Sequence, residues 1–254
     1  MVVIECLNVS RKFGSYVAVN DLSLKVEQGE LYGFLGPNGA GKTTTIKMLT
    51  GLLRPTSGSC IIAGFNMQTE PLKARSALGY VPDNPFLYDR LSGREYLQFM
   101  AELYNVSRDG LEAKINNLLN LLELEDKSKE LIQSYSRGMR QKIALAGALV
   151  HNPSALFLDE PTVGLDPRGA RVMQEILREL CRRGAAVFIT THQMSVAEKL
   201  CDRISIINGG QIVAEGTPQS LLTEHSGYEG RTLEELFLHL TGAPEQEDLL
   251  RFLE

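Results

Sequence analysis

Gly36-Pro37-Asn38-Gly39-Ala40-Gly41-Lys42-Thr43 stands directly after a short apolar run, Glu30–Leu35, and opens a helix-forming stretch from Lys42 to about Leu52 that stops before Arg54-Pro55. The spacing fits G-x-x-x-x-G-K-[ST] in a strand–loop–helix setting, the context that separates a phosphate cradle from a Gly-rich turn that merely matches the pattern. Glycines let successive backbone N–H groups converge on one point, and the helix N-terminus that follows adds partial positive charge. Lys42 is expected to reach the β- and γ-phosphates, the Thr43 hydroxyl to ligate Mg²⁺, and Thr44 to join the nucleotide-contacting set. The stretch implies a nucleoside triphosphate ligand.

Downstream, Leu156-Phe157-Leu158-Asp159-Glu160 reads as a buried strand ending in two acids. An acid at the end of a strand beside a phosphate loop is placed to hold Mg²⁺ through water, a role that falls to Asp159. Glu160, one residue on, is placed to polarise an attacking water, which points to hydrolysis rather than binding alone. Helix Pro167–Arg183, closed by Gly184, leads into a second buried strand, Ala186–Thr190. Two buried strands joined by one helix predict a parallel βαβ unit. His192 follows that strand in ITTHQM. A lone histidine there is commonly a hydrogen-bonded structural residue, but a parallel pair would bring it beside Asp159 and Glu160, within reach of a γ-phosphate.

The remaining organisation is strand-rich before the loop and helical in the middle. Val2–Val9 and Leu22–Val26 alternate, and Ile61–Ala63 adds a short strand. Leu97, Met100, Ala101 and Tyr104 fall at i, i+3, i+4 and i+7, and Leu111, Ile115, Leu118, Leu119 and Leu122 continue the period. Residues from about 88 to 150 therefore read as a helical insert. Near the end, Ile204–Ile207 and Gln211–Ala214 flank Asn208-Gly209-Gly210, a hairpin signal. Thr232 and Glu235 form a capping box on a helix carrying Leu233, Leu236, Phe237 and Leu240.

Composition narrows the function. In 254 residues, 26 Lys+Arg stand against 31 Asp+Glu, a formal charge of -5. That balance argues against a protein whose work is coating nucleic acid or docking electrostatically on anionic lipid. The longest clean apolar run, Ile143–Val150, is far short of the roughly 20 residues a membrane helix needs, so no direct membrane insertion is expected. The opening MVVIECLNVSRKFG lacks a basic region followed by an apolar stretch, and no signal peptide is expected. Cys6, Cys60, Cys181 and Cys201 are scattered without ligand spacing and read as reduced, buried residues of a cytoplasmic protein.

Between the two phosphate elements lies Tyr135-Ser136-Arg137-Gly138-Met139, followed by Arg140-Gln141-Lys142 and an apolar helix to Val150. By itself it is a helix start with a capping hydroxyl, bare N–H groups and a dipole, a second anion site or a plain cap. With the loop and the acid pair it resembles the L-S-G-G-Q signature of the ABC nucleotide-binding domain, and the resemblance covers nearly the whole chain. Ser136 and Gly138 match; Arg137 and Met139 depart. The resemblance implies an α/β P-loop NTPase with a RecA-like parallel-sheet core, an antiparallel β subdomain and the inserted helical subdomain. It spans about residues 1–240, with 241–254 as a tail. It further implies ATP and Mg²⁺ as cofactors, and Ser136 and Gly138 touching the γ-phosphate held by an opposite subunit in a homodimer or heterodimer.

Other elements follow by resemblance. Phe13 stands where an aromatic stacks on adenine; the alternative is a core residue. Val163-Gly164-Leu165-Asp166-Pro167 looks like the loop that crosses the dimer interface, and Asp166 before Pro167 is also a helix N-cap. In Gly79-Tyr80-Val81-Pro82-Asp83-Asn84-Pro85, Asp83 occupies the place of a glutamine that senses γ-phosphate and links to a membrane partner. Unit charges about 6 Å apart at an effective dielectric near 20 repel by roughly 3 kcal/mol. Asp83 is therefore expected on the Mg²⁺ side, through a bridging water, since a carboxylate suits a hard cation. Phe86, Leu87, Tyr88 and Leu91 read partly as core and partly as a groove for the partner's cytoplasmic helix.

The ending resembles single-domain subunits of bacterial exporters that pair with separate permeases of the ABC-2 kind. The function implied is an ATP-driven motor, peripheral on the inner face of the cell membrane, that works on a separate integral membrane permease. Two rivals are a soluble ABC ATPase acting on ribosomes or DNA and a regulatory subunit that binds ATP without hydrolysing it. One cassette without a basic arm or long insertion argues against the first, whereas Asp83 is the feature that favours the second.

Overall fold

The computed structural model of the chain describes residues 1–225 and 231–242; residues 243–254 of the expected tail lie outside the described residues. The strands are β1 (Val2–Phe13), β2 (Tyr16–Glu27), β3 (Leu31–Leu35), β4 (Ser57–Ile62), β5 (Phe65–Asn66), β6 (Leu78–Val81), β7 (Ala155–Asp159), β8 (Ala186–Thr191), β9 (Arg203–Asn208) and β10 (Gln211–Gly216). The helices are α1 (Lys42–Leu49), α2 (Pro71–Ser76), α3 (Gly93–Leu103), α4 (Leu111–Leu121), α5 (Arg137–Leu149), α6 (Pro167–Arg182), α7 (Met194–Leu200), α8 (Pro218–Glu224) and α9 (Leu233–Thr241).

Strands β3, β7 and β8 are buried throughout and largely apolar, with polar residues only at the ends of β7 (Asp159) and β8 (Thr190-Thr191), as strands covered on both faces must be. They lie inside a six-stranded sheet of order β10-β9-β3-β8-β7-β6, parallel except for the β9–β10 hairpin. Side chains alternate across it. Leu31, Leu35, Leu156, Leu158, Val187 and Ile189 enter one core with the helices. Tyr32, Phe34, Phe157 and Phe188 enter the other, which is closed by the antiparallel sheet β2-β1-β4-β5 and by α1. The Phe188 ring packs 5.6, 5.4 and 5.7 Å from Tyr32, Phe34 and Phe157.

This is the ABC-type α/β arrangement expected from the sequence, and the βαβ unit β7–α6–β8 is parallel and adjacent. Helix α9 carries both halves of the expected capping box. Three boundaries differ from expectation. Helix α1 ends at Leu49 rather than Leu52, because Gly51 takes φ 72, a left-handed helix stop. Strands β1 and β2 run past the ends of their alternating cores to meet at a tight turn. Residues 65–81 hold β5, α2 and β6, elements too short to show a period.

Between β6 and β7 stand α3, α4 and α5. Helix α3 is capped by Ser92 and Glu95, and α5 packs on both α3 and β6. No helix among the described residues is long and apolar enough to cross a membrane. The four cysteines are buried and free; Cys6 and Cys60 sit opposite each other on β1 and β4 with Sγ atoms 4.0 Å apart.

Candidate active site

Because β3, β8, β7 and β6 are parallel, the segments that follow them gather at one edge of the sheet. A cavity of about 320 Å³ opens there. From the phosphate loop and α1 it is lined by Asn38, Gly39, Gly41, Lys42, Thr43 and Thr44, and from the strand ends by Asp83, Asp159 and Glu160. Phe13, Tyr16 and Ala18 of the antiparallel sheet complete it.

The loop is built around Lys42, whose ammonium donates to the carbonyls of Gly36 at 2.6 Å and Pro37 at 3.1 Å. Burial lowers its pKa, opposed by the nearby carboxylates of Glu160 and Asp159. Gly41 has φ 113, and a Cβ there would stand 2.7 Å from the Ala18 carbonyl. The conformation that ends the loop is therefore open only to glycine. Ala40 is buried under the loop, and Gly36, Pro37 and Ala40 shape the cavity without lining it.

Strand β7 delivers the acids. Asp159 is buried and accepts a hydrogen bond from the Thr190 hydroxyl of β8. Glu160 takes φ 54, a left-handed conformation uncommon for non-glycine residues and concentrated at functional sites. His192 Nδ1 donates to Glu160 Oε1 at 2.8 Å, so the two strand ends do lie side by side. Glu160 Oε2 is buried without a partner, an arrangement that costs free energy unless something at the cavity supplies a donor or a cation. Thr43 and Asp159 together present a hydroxyl and a carboxylate, hard oxygen donors of the kind Mg²⁺ takes when phosphates and water complete its shell.

Phe13 is half-exposed at the cavity rather than in the core. It pairs across β1–β2 with Tyr16, so the two aromatics share a face, and the Arg11 guanidinium lies 4.5 Å over the Phe13 ring. Sequence reasoning missed Tyr16; its signal was an aromatic directly beyond the Gly14-Ser15 turn.

The signature residues are placed differently. Ser136 caps α5, its hydroxyl accepting from Met139 N–H at 3.3 Å. Neither Ser136 nor Gly138 lines the cavity. Gly138 instead faces the loop after Glu160, with the Gly164 carbonyl and Leu165 3.4 Å from where its Cβ would stand. Asp166 caps α6 through Gly169 N–H at 2.8 Å, with Pro167 in the first position. Asp83 is engaged within its own chain. Its carboxylate lines the cavity, but Oδ1 accepts from Arg137 at 3.0 Å and Oδ2 from Asn84 at 3.1 Å. Its counter-charge in the structure is a guanidinium of the same chain, a partner that sequence spacing does not reveal.

A phosphate loop, an acid pair and a capped signature helix on this sheet define an ABC-type ATPase. The ABC transporter family model matches residues 19–163, and the chain belongs to that family as an ATP-binding, ATP-hydrolysing transport subunit. It is 42% identical over 224 residues to "Nod factor export ATP-binding protein I" of Burkholderia lata, covering 88% of this chain and 74% of that one. It is 41% identical to the "Uncharacterized ABC transporter ATP-binding protein YhcH" of Bacillus subtilis, covering 83% and 68%. Among solved structures, an ATP-binding subunit of an ABC transporter superposes with a TM-score of 0.89 at 32% identity, covering 94% of this chain and 99% of that one. A dimeric, post-hydrolysis ATP-binding cassette, MJ0796, bound to ADP and phosphate, superposes with a TM-score of 0.76 at 26% identity, covering 84% and 98%.

Proposed function

We propose that this chain drives export through a separate membrane permease, using ATP to close a two-chain sandwich and hydrolysis to reopen it. The observation that carries this reading is the segment after β6. It begins in the nucleotide cavity with Asp83, and three residues later Phe86 is 97% exposed, followed by exposed Tyr88. Leu87 and Leu91 of the same segment pack on the core. Tyr88 meets Phe99 of α3 edge to face at 5.0 Å, extending the apolar surface. Exposed aromatics beside a nucleotide site suit an apolar partner helix. Export as the direction is supported by the name of the Burkholderia lata relative.

Within the site, Phe13 would stack on adenine, with Asn38, Gly39, Gly41, Lys42, Thr43 and Thr44 around the phosphates. Thr43 and Asp159 would hold Mg²⁺, which draws negative charge off the phosphates. Glu160 orients and deprotonates the attacking water while His192 fixes its carboxylate. Ser136 and Gly138, standing outside their own chain's cavity, would complete the site of a second copy, as the dimeric state of MJ0796 supports. The core over residues 1–240 with its insert at about 88–150 is then one motor unit, held at the membrane's inner face by the permease.

A photo-crosslinking residue in place of Phe86 or Tyr88, expressed in the native cell, tests the docking surface. Both positions are expected to capture one multi-span membrane protein, and exposed Leu72 of α2 to capture none. Capture of ribosomal proteins from 86 and 88, or equal capture from 72, overturns the transport reading.

A further inference from the structure

Two departures from the family pattern, far apart in sequence, meet in the fold. Asp83 stands where the resemblance expects glutamine and Arg137 where it expects glycine, and Arg137 Nη2 donates to Asp83 Oδ1 at 3.0 Å. Three residues along α5, Arg140 Nη1 donates to Asp89 Oδ1 at 2.7 Å and to the Ile132 carbonyl at 3.3 Å. Residues three apart share a helix face, so one face of the first turn of α5 grips both ends of the segment 83–89. Phe86 and Tyr88 project between the two grips. Arg137 also reaches a third segment: a Cβ on Gly164 would stand 2.8 Å from its Cδ and 2.9 Å from its Nε. Its stem therefore lies across the loop that joins Glu160 to Asp166.

We propose that Arg137 and Arg140 are positioning residues that staple the segment 83–89 to the start of α5. The helix end carrying Ser136 and Gly138 thereby takes its position from a loop that lines the nucleotide cavity at one end and exposes Phe86 and Tyr88 further along. The proposal rests on the reading above that Ser136 and Gly138 complete the site of a second chain. A glutamine and a glycine have no such contact to offer, because glycine has no side chain to reach across. The ion pair replaces that uncharged combination with a direct link. Asp83 and Arg137 are 38% and 55% exposed, so their pair adds little to stability and is screened by salt. A bond of small stabilising effect that joins three segments bordering an active site acts on geometry.

Two measurements test it. The first is hydrogen exchange on the monomer. Arg137→Ala and Arg140→Ala are each expected to speed exchange within residues 84–91, and high salt should do the same to the wild type. The thermal midpoint should move by no more than about 2 °C, because the pairs are exposed. Unchanged exchange in both variants overturns the staple, whether or not the chains dimerise. The second is ATP-driven dimerisation in a Glu160→Gln background, read as the protein concentration at half-assembly. Asp83→Ala and Arg137→Ala are each expected to raise it about tenfold, and the double variant to be no worse than the weaker single. Arg137→Lys should stay within about threefold of the parent, since the observed contact is monodentate and a lysine can make it. Additive losses in the double variant, or Arg137→Lys as weak as Arg137→Ala, overturn the proposal. A Glu160→Gln parent that never dimerises with ATP removes the two-chain reading of the site, and the exchange data still decide the staple.

Discussion

Lys42 lies buried at the cavity, hydrogen-bonded only to carbonyls of its own loop and facing Glu160 and Asp159. Among the described residues its ammonium makes no hydrogen bond outside the loop, so Lys42→Ala should leave the fold intact and strike binding. Losing a charge-assisted contact to phosphate costs about 2 kcal/mol or more, which is about thirtyfold in ATP affinity. Calorimetry on wild type and variant checks this, and equal affinities would remove Lys42 from the phosphate site. Glu160 was legible as an acid after a buried strand, and the βαβ pattern placed His192 beside it, but its left-handed φ was not legible. That conformation belongs to the turn the chain makes on leaving β7, which no local pattern encodes. Asp83 is the opposite case. Its departure from glutamine was visible, yet the residue that balances its charge is 54 positions away.

At the scale of elements, α5 joins the signature end to the sheet, and His151 just beyond it ties three pieces together. Its ring stacks on Tyr104 at the end of α3, 3.7 Å between centroids, and its Nε2 donates to the Leu78 carbonyl at 3.0 Å on β6. Nδ1 is buried without an acceptor, so a second proton there has no partner. Burial lowers the His151 pKa, and neighbouring Lys114 lowers it further against the opposing Leu78 bond. Near and below pH 6.5 the unfolded chain therefore binds a proton at this site that the folded chain refuses, and stability falls as pH falls. Thermal midpoints from pH 7 to pH 5 should drop more steeply for wild type than for His151→Gln; parallel slopes would clear His151 of the effect. The periodic helices α3 and α4 were readable from their apolar spacing. Elements such as α2, β5 and β6 were not, because fewer than about seven residues cannot display a period.

For the whole molecule, the decisive feature is that the cavity holding Lys42 and Glu160 does not include Ser136 and Gly138 of the same chain. In a two-fold sandwich each composite site takes its phosphate loop from one copy and its signature end from the other. Lys42→Ala and Gly138→Asp chains should each be inactive alone. Space for a Cβ at Gly138 exists without clash, so the aspartate acts by charge rather than by unfolding. Mixed, the two variants should regain turnover, up to about a quarter of the wild-type rate, because heterodimers carry one intact site. A mixture as inactive as its components would place Gly138 in its own chain's chemistry. Three ion-paired connections of α5 among the described residues, Arg137 to Asp83, Arg140 to Asp89 and Lys142 to Glu123, lie along the same helix that presents this end.

The short-range features of this protein were written in the chain. The phosphate loop, the acids closing β7, the capping boxes and the helical insert each follow from residues within a few positions of one another. Backbone stereochemistry and local hydrogen bonding act over that range. The sharing of the cavity by Tyr16, the left-handed turn at Glu160 and the pairing of Asp83 with Arg137 belong to the packed sheet. They arise where burial of the two cores sets which strand ends and which loops become neighbours, a choice made by summed apolar contacts across the whole chain.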